Sequence, residues 1–181
     1  ISEQLKLDRA NATINRGVSA LKTAFNLAKK QEIIKDVPYF TTLREDNARQ
    51  GFFEKAEFES VLDYLPYYLK GVVQMAYKTG WRRAEILNLK WESVDLQAKE
   101  LRLRTSKNKE GRCIALQGEL WEVIERQWEA REVKLKGRTL ISHWVFHNEG
   151  KQIQSYYKAW HTACNKAGVP GKLPHDFRRT A

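Results

Sequence analysis

ELRLRTSKNKEGRCIAL, residues 100–116, is where the hydropathy pattern of the chain changes period. Leu101, Leu103 and Thr105 alternate with Arg102 and Arg104, and a period of two belongs to a half-buried strand. Residues 108–111 (NKEG) supply a turn and 112–116 (RCIAL) return, so the stretch reads as a β-hairpin with a strongly basic tip.

Around the hairpin the period is helical. Upstream, Phe58, Val61, Leu62 and Leu65 share one helical face, and Pro66 suits the first turn of a second helix. Leu69, Val72, Val73 and Ala76 continue that helix to Gly80, a natural stop. A short third helix covers roughly 82–90, with Ile86 and Leu89 inward. Downstream, Leu120, Ile124, Trp128 and Arg131 fall at helical spacing, HWVFHNEGK (143–151) reads as a short strand and turn, and Tyr156, Trp160, Ala163 and Ala167 form a helix ended by Gly168 and Pro170. The six tryptophans sit at helical or strand positions and read as core. The fold class is mainly α with a small antiparallel β-sheet, an α+β arrangement.

A separate helical piece precedes this body. Ile14, Val18, Leu21, Phe25 and Ala28 make residues 12–31 an amphipathic helix, and KDVPYFTTLREDNARQG (35–51) then breaks the pattern. The expected organisation is a helical domain over 1–37, a linker over 38–51 and a second domain over 52–181.

The chain carries 32 Lys+Arg against 22 Asp+Glu, a formal charge of +10, which favours a polyanionic partner. No apolar run reaches the ~18–20 residues of a membrane span, and the start, ISEQLKLDRA, has no signal-peptide core. That start lacks an initiator Met and reads as mid-helix; with the abrupt end at HDFRRTA it suggests a fragment cut at both ends. Cys113 and Cys164 stand alone, as expected for a reducing cytoplasm. There is no P-loop and no dinucleotide fingerprint. His143 and His147 have no cysteine or carboxylate beside them, and the acidic residues are spread over helix faces, so neither a metal nor another cofactor is expected.

Three basic motifs remain, each weak by itself. In TGWRRAEILNLKW (79–91), Arg82 stands at a helix start, where a guanidinium suits a phosphate, and Glu85 lies three residues on, able to hold it. In RTSKNKEGR (104–112), lysines at the tip of a ribbon can reach a DNA groove or a scissile phosphate. In HDFRRTA (175–181), His175 and Arg178 share a helix face, one able to move a proton and the other to grip phosphate oxygens. A surface ion pair, a solvated hairpin tip and a decorative His-x-x-Arg pair are the plain readings of the same residues.

Taken in order, Arg82 in TGWRRAE, Lys107 in TSKNKEGR, and His175 and Arg178 in HDFRRT resemble the tyrosine recombinase (phage integrase) family. The upstream ATINRGVSALKTAFNLAKKQEII (12–34) is similar to the end of the core-binding domain that precedes the catalytic domain there, so the resemblance covers essentially the whole chain. It implies Arg82, Lys107, His175 and Arg178 as catalytic residues, Arg104, Lys109 and Arg112 as DNA contacts, double-stranded DNA as partner, and a homo-oligomer on DNA for the full-length protein. It implies no cofactor, membrane or small-molecule substrate, and a DNA-associated place in the cytoplasm for a protein of bacterial or phage-derived origin.

Trp81 and Phe177 depart from the family's smaller aliphatics beside the two arginines. The family's nucleophilic tyrosine lies beyond the His-x-x-Arg motif, whereas Tyr39, Tyr64, Tyr67, Tyr68, Tyr77, Tyr156 and Tyr157 all precede it. The expectation is therefore a recombinase fragment, inactive by itself, in which Arg82, Lys107, His175 and Arg178 converge on one anion position, with a last helical turn prone to fray and so to leave His175 and Arg178 displaced or mobile. Its rivals are a non-catalytic, sequence-specific DNA-binding or regulatory module and a basic helical scaffold for RNA or protein.

Overall fold

The structure is a computed structural model that describes residues 9–45, 51–103, 111–135 and 137–180. The chain divides into two compact units, Ile1–Gln50 and Gly51–Ala181.

The first unit is built on one long helix, α1 (Asn11–Lys30). Ile14 and Val18 are buried on it as the periodicity predicts, but Leu21 is 55% exposed. The reason lies in what covers the helix. Asn15 is buried between them, and its amide mimics a backbone edge: Nδ2 donates to the Leu43 carbonyl at 2.8 Å while Oδ1 accepts the Leu43 N–H at 2.8 Å. Asn11 Nδ2 donates to the Arg44 carbonyl, and Phe25 packs on Phe40 with centroids 5.5 Å apart. Residues 40–45, read from sequence as linker, thus lie along α1. A buried asparagine inside an apolar stripe is the signal for this pairing, since its amide must find partners.

The second unit begins with α2 (Lys55–Asp63) and α3 (Tyr67–Thr79). Leu69, Val72, Val73 and Met75 are wholly buried, because α3 is the central helix of the unit. It packs against α4 (Arg83–Leu87), α5 (Glu119–Ala130) and α7 (Phe177–Thr180), while α2 packs against α6 (Tyr157–Lys166). Gly80 ends α3 in the left-handed conformation at φ 59°, which a side chain rarely adopts, and turns the chain directly into α4.

Next to these helices stands a three-stranded antiparallel sheet of order β1 (Val94–Asp95), β2 (Glu100–Leu103) and β3 (Arg112–Ala115). Leu103 faces Arg112 and Glu100 faces Ala115, so β2 and β3 pair as the alternation predicts, with β1 added at the edge. The hairpin tip, with Arg104, Lys107 and Lys109, lies outside the described residues.

A second hairpin, β4 (Glu132–Leu135) with β5 (Arg138–Ile141), has no counterpart in the sequence reading. Arg131, counted there as helical, caps α5 instead. Every residue of β5 is exposed, so no burial alternation marks the strand. A two-residue turn at Glu149 and Gly150, both at positive φ, joins β6 (His147–Asn148) to β7 (Lys151–Gln152). Trp81 and Trp160 are buried as core, but Trp91, Trp121, Trp128 and Trp144 are only half-buried. Three of those four carry a cation on the ring face: Lys99 over Trp121, Arg131 over Trp128 and Lys90 over Trp144. Among the described residues, no helix is long and apolar enough to cross a membrane.

Candidate active site

Arg82 is placed by the turn at Gly80. Thr79 Oγ1 donates to the Met75 carbonyl at 2.7 Å and accepts the Trp81 N–H at 3.2 Å, closing the end of α3 and fixing where α4 starts. Arg82 is the residue before α4, and Glu85 holds it twice. Glu85 Oε2 accepts the Arg82 backbone N–H at 2.8 Å, and Oε1 accepts Arg82 Nη1 at 2.9 Å. Burial pushes the Glu85 carboxyl up, but the two Arg82 hydrogen bonds and the charges of Arg82 and Arg112 outweigh it, and the net shift is down. Glu85 therefore stays ionised and fixes the guanidinium. Since α4 has five residues, any preference for an anion here rests on guanidinium charge rather than on a helix end.

The second motif reaches the same place from the far end of the chain. A 3₁₀ turn, Pro174–Asp176, leads into α7 and presents His175 to solvent and Arg178 half-buried. The turn expected to fray is packed onto the core. Phe177 is 1% exposed, inside a cluster with Phe53, Phe58, Tyr77 and Trp160 at centroid distances of 4.9–5.9 Å. A four-residue helix has no stability of its own, so this aromatic packing holds it, and the bulk of Phe177 has a use.

Arg82, His175 and Arg178, spread over 97 positions of sequence, line one pocket of 390 Å³ together with Trp81, Arg83, Tyr156, Tyr157, Leu173 and Pro174. Arg178 Nη1 is buried and has no hydrogen-bond partner among the described residues. A buried guanidinium nitrogen left unpaired is costly, and an anion in the pocket would satisfy it. Arg112 opens β3 at the base of the basic hairpin, and its charge is felt at Glu85. Lys107 itself, like Arg104 and Lys109, is outside the described residues.

Arg83 and Tyr157 were not singled out from the sequence. Arg83 sits beside Arg82 in WRRAE, a visible if ambiguous signal; Tyr157 lies next to a core tyrosine and carries no signal at all. Tyr156 is 3% exposed, and burial pushes its hydroxyl up to about 12, against a small opposing effect of Arg83. Such a phenol is a poor source of phenolate. Tyr157 is 54% exposed on the pocket's edge.

Known proteins share both this sequence and this architecture. The integrase of Salmonella phage P22 is 26% identical over 182 residues, which cover 94% of this chain and 46% of that protein. The chain thus spans about half the length of that relative. The Tn1549 transposon integrase in complex with transposon right end DNA matches with a TM-score of 0.76 at 20% identity, over 98% of this chain and 67% of its own. Lambda integrase bound to DNA matches with a TM-score of 0.74 at 16% identity, over 94% and 63%. At these identities the structural likeness speaks for the fold. The family model described as the phage integrase family matches residues 51–181, the same span as the second unit, and the chain belongs to that family.

Proposed function

We propose that this chain is the DNA-cleaving part of a site-specific recombinase, which in the whole protein cuts and rejoins duplex DNA through a 3′-phosphotyrosyl link. The observation that carries this reading is the buried Nη1 of Arg178, without a hydrogen-bond partner among the described residues, in a pocket shared with Arg82 and His175. A phosphodiester is the anion that fits the family, the +10 charge and the paired guanidinium forks.

The chemistry follows from the residue types. A tyrosine oxygen attacks phosphorus, the bond to the 5′ oxygen breaks, and the departing oxygen takes a proton from Lys107. Negative charge grows on the non-bridging oxygens in the transition state, where Arg82 and Arg178 act on it. His175 assists proton movement at the nucleophile. The phosphotyrosyl link keeps the energy of the broken bond, and attack by a free 5′ hydroxyl reverses the step. Arg104, Lys109 and Arg112 contact the duplex backbone. The segment 1–37 belongs to a core-binding domain, 38–51 leads from it, and 52–181 belongs to the catalytic domain. The protein works as a homo-oligomer on DNA in a bacterial cytoplasm, as the lambda integrase tetramer bound to a Holliday junction suggests for the assembly.

The test uses the whole protein that carries this chain, a labelled nicked duplex with its attachment site, and a denaturing gel. A protein–DNA band that survives SDS is expected, carrying a label placed on the strand segment 5′ of the cut, whose 3′ phosphate is bonded to the protein. The 181 residues alone should bind weakly and give no such band, and Tyr157→Phe is the control if they do. Specific binding by the whole protein with no covalent band would instead make it a non-catalytic DNA-binding module.

A further inference from the structure

His175 and Arg178 sit on a turn too short to hold itself, and among the described residues several polar contacts that hold it arrive from one short segment. The chain enters the second unit at Gly51, and within seven residues it touches the turn or its approach three times. Phe53 donates its backbone N–H to Thr180 Oγ1 at 3.0 Å, and Thr180 in turn donates to the Asp176 carbonyl at 3.2 Å. Lys172 Nζ donates to the Phe52 carbonyl at 2.6 Å and to Glu57 Oε2 at 2.7 Å, while lying 4.9 Å from the centre of the Phe53 ring. Gly51 faces the carboxyl of Asp176 so closely that a Cβ there would lie 2.6 Å from Cγ.

Asp176 cannot move aside cheaply. It is 2% exposed, and its Oδ2 accepts the Leu173 N–H at 2.8 Å, the bond that shapes the turn. Glu57 is likewise committed: Oε2 also accepts the Glu54 N–H at 3.0 Å at the start of α2. Its carboxyl is held below the usual range chiefly by the Lys172 hydrogen bond. The backbone of Lys172 joins in from the other side, its carbonyl accepting Trp160 Nε1 at 2.9 Å. The loop before His175 is therefore fastened to α6 through its backbone and to residues 52–57 through its side chain.

We propose that Gly51, Glu57 and Lys172 form a clasp that sets the position of His175 and Arg178, and so governs the rate of DNA cleavage without touching DNA. They are positioning residues for the reaction proposed above, and the inference rests on that reading. The physical demand is clear: a guanidinium that must meet charge on a transition state loses much of its effect when displaced by about 1 Å, a shift that costs on the order of 10²-fold in rate.

The experiment compares Lys172→Met, Lys172→Arg and Gly51→Ala in the whole protein. Methionine keeps the apolar stem over the phenylalanine rings and removes the donors; arginine keeps donors. Amide hydrogen exchange is read at Phe53, Leu173 and Asp176, whose bonds close the clasp, and single-turnover cleavage and duplex affinity are read on the same proteins. Lys172→Met and Gly51→Ala should speed exchange at those amides about tenfold with α3 unchanged, since local opening is separable from global unfolding. Cleavage at saturating DNA should fall about tenfold or more with affinity within about threefold, as for an interaction that acts in the transition state. Lys172→Arg should retain wild-type behaviour in both. Unchanged exchange in both variants overturns the clasp. Faster exchange with normal cleavage overturns its link to the reaction, and faster exchange throughout α3 reduces it to a fold contact. If the wild-type protein does not cleave, the recombinase reading fails, while the exchange data still decide whether the clasp holds the turn.

Discussion

At the scale of single residues, the unit's polar groups divide into those already satisfied and those held ready. Glu85 belongs to the first kind, with both carboxyl oxygens on Arg82. Arg178 Nη1 belongs to the second. His147 shows the cost of burying a titratable group away from the site. It is 8% exposed, and its Nδ1 accepts the Gly150 N–H at 3.1 Å, a bond that charging the ring would break. Burial accordingly holds its pKa below the ordinary 6.5, against a smaller opposing effect of the Ala130 carbonyl. The sign follows from linkage: the folded state prefers the neutral ring, so this stabilisation is complete above about pH 6.5 and is lost as pH falls through the folded value. His147→Asn should lower the melting temperature of the second unit at neutral pH and flatten its decline as pH falls below about 6.5. A slope in that window equal to wild type would show that His147 does not titrate there.

At the scale of elements, legibility tracked burial. Helices α2, α3 and α6 each bury a stripe, and their periodicity marked them; so did the alternation of β2 and β3 around Leu101. The hairpin of β4 and β5 escaped because a ribbon with an exposed strand leaves no pattern in hydropathy. The site was legible in part. Arg82, His175 and Arg178 stand in motifs with characteristic neighbours, whereas Tyr157 reaches the pocket, and Lys172 reaches Phe52 and Glu57, through long-range proximity that no local period encodes. Phe177 had looked like a mild departure from its family, and its aromatic neighbours, distant in sequence, explain it. The basic hairpin makes its own prediction. Arg112 opens β3 and its charge reaches Glu85, and Lys109 precedes it in the basic run RTSKNKEGR. Replacing both with Ala should weaken duplex binding and reduce the slope of log affinity against log salt by roughly one per lost phosphate contact. An unchanged slope from low to moderate salt would remove the hairpin from the DNA interface.

At the scale of the whole molecule, the second unit is a frame that brings two distant stretches to one pocket. The turn after α3 delivers Arg82, and α7, pinned by its aromatic cluster, delivers His175 and Arg178. The central claim is that the two guanidinium groups serve the transition state rather than the bound substrate. Arg82→Ala and Arg178→Ala, made separately in the whole protein, test it through single-turnover cleavage of a nicked attachment-site duplex beside an affinity titration. Loss of one such donor should slow cleavage by ~10²–10³ while duplex affinity stays within several-fold. Normal cleavage by both variants, or a loss confined to affinity, would contradict the claim.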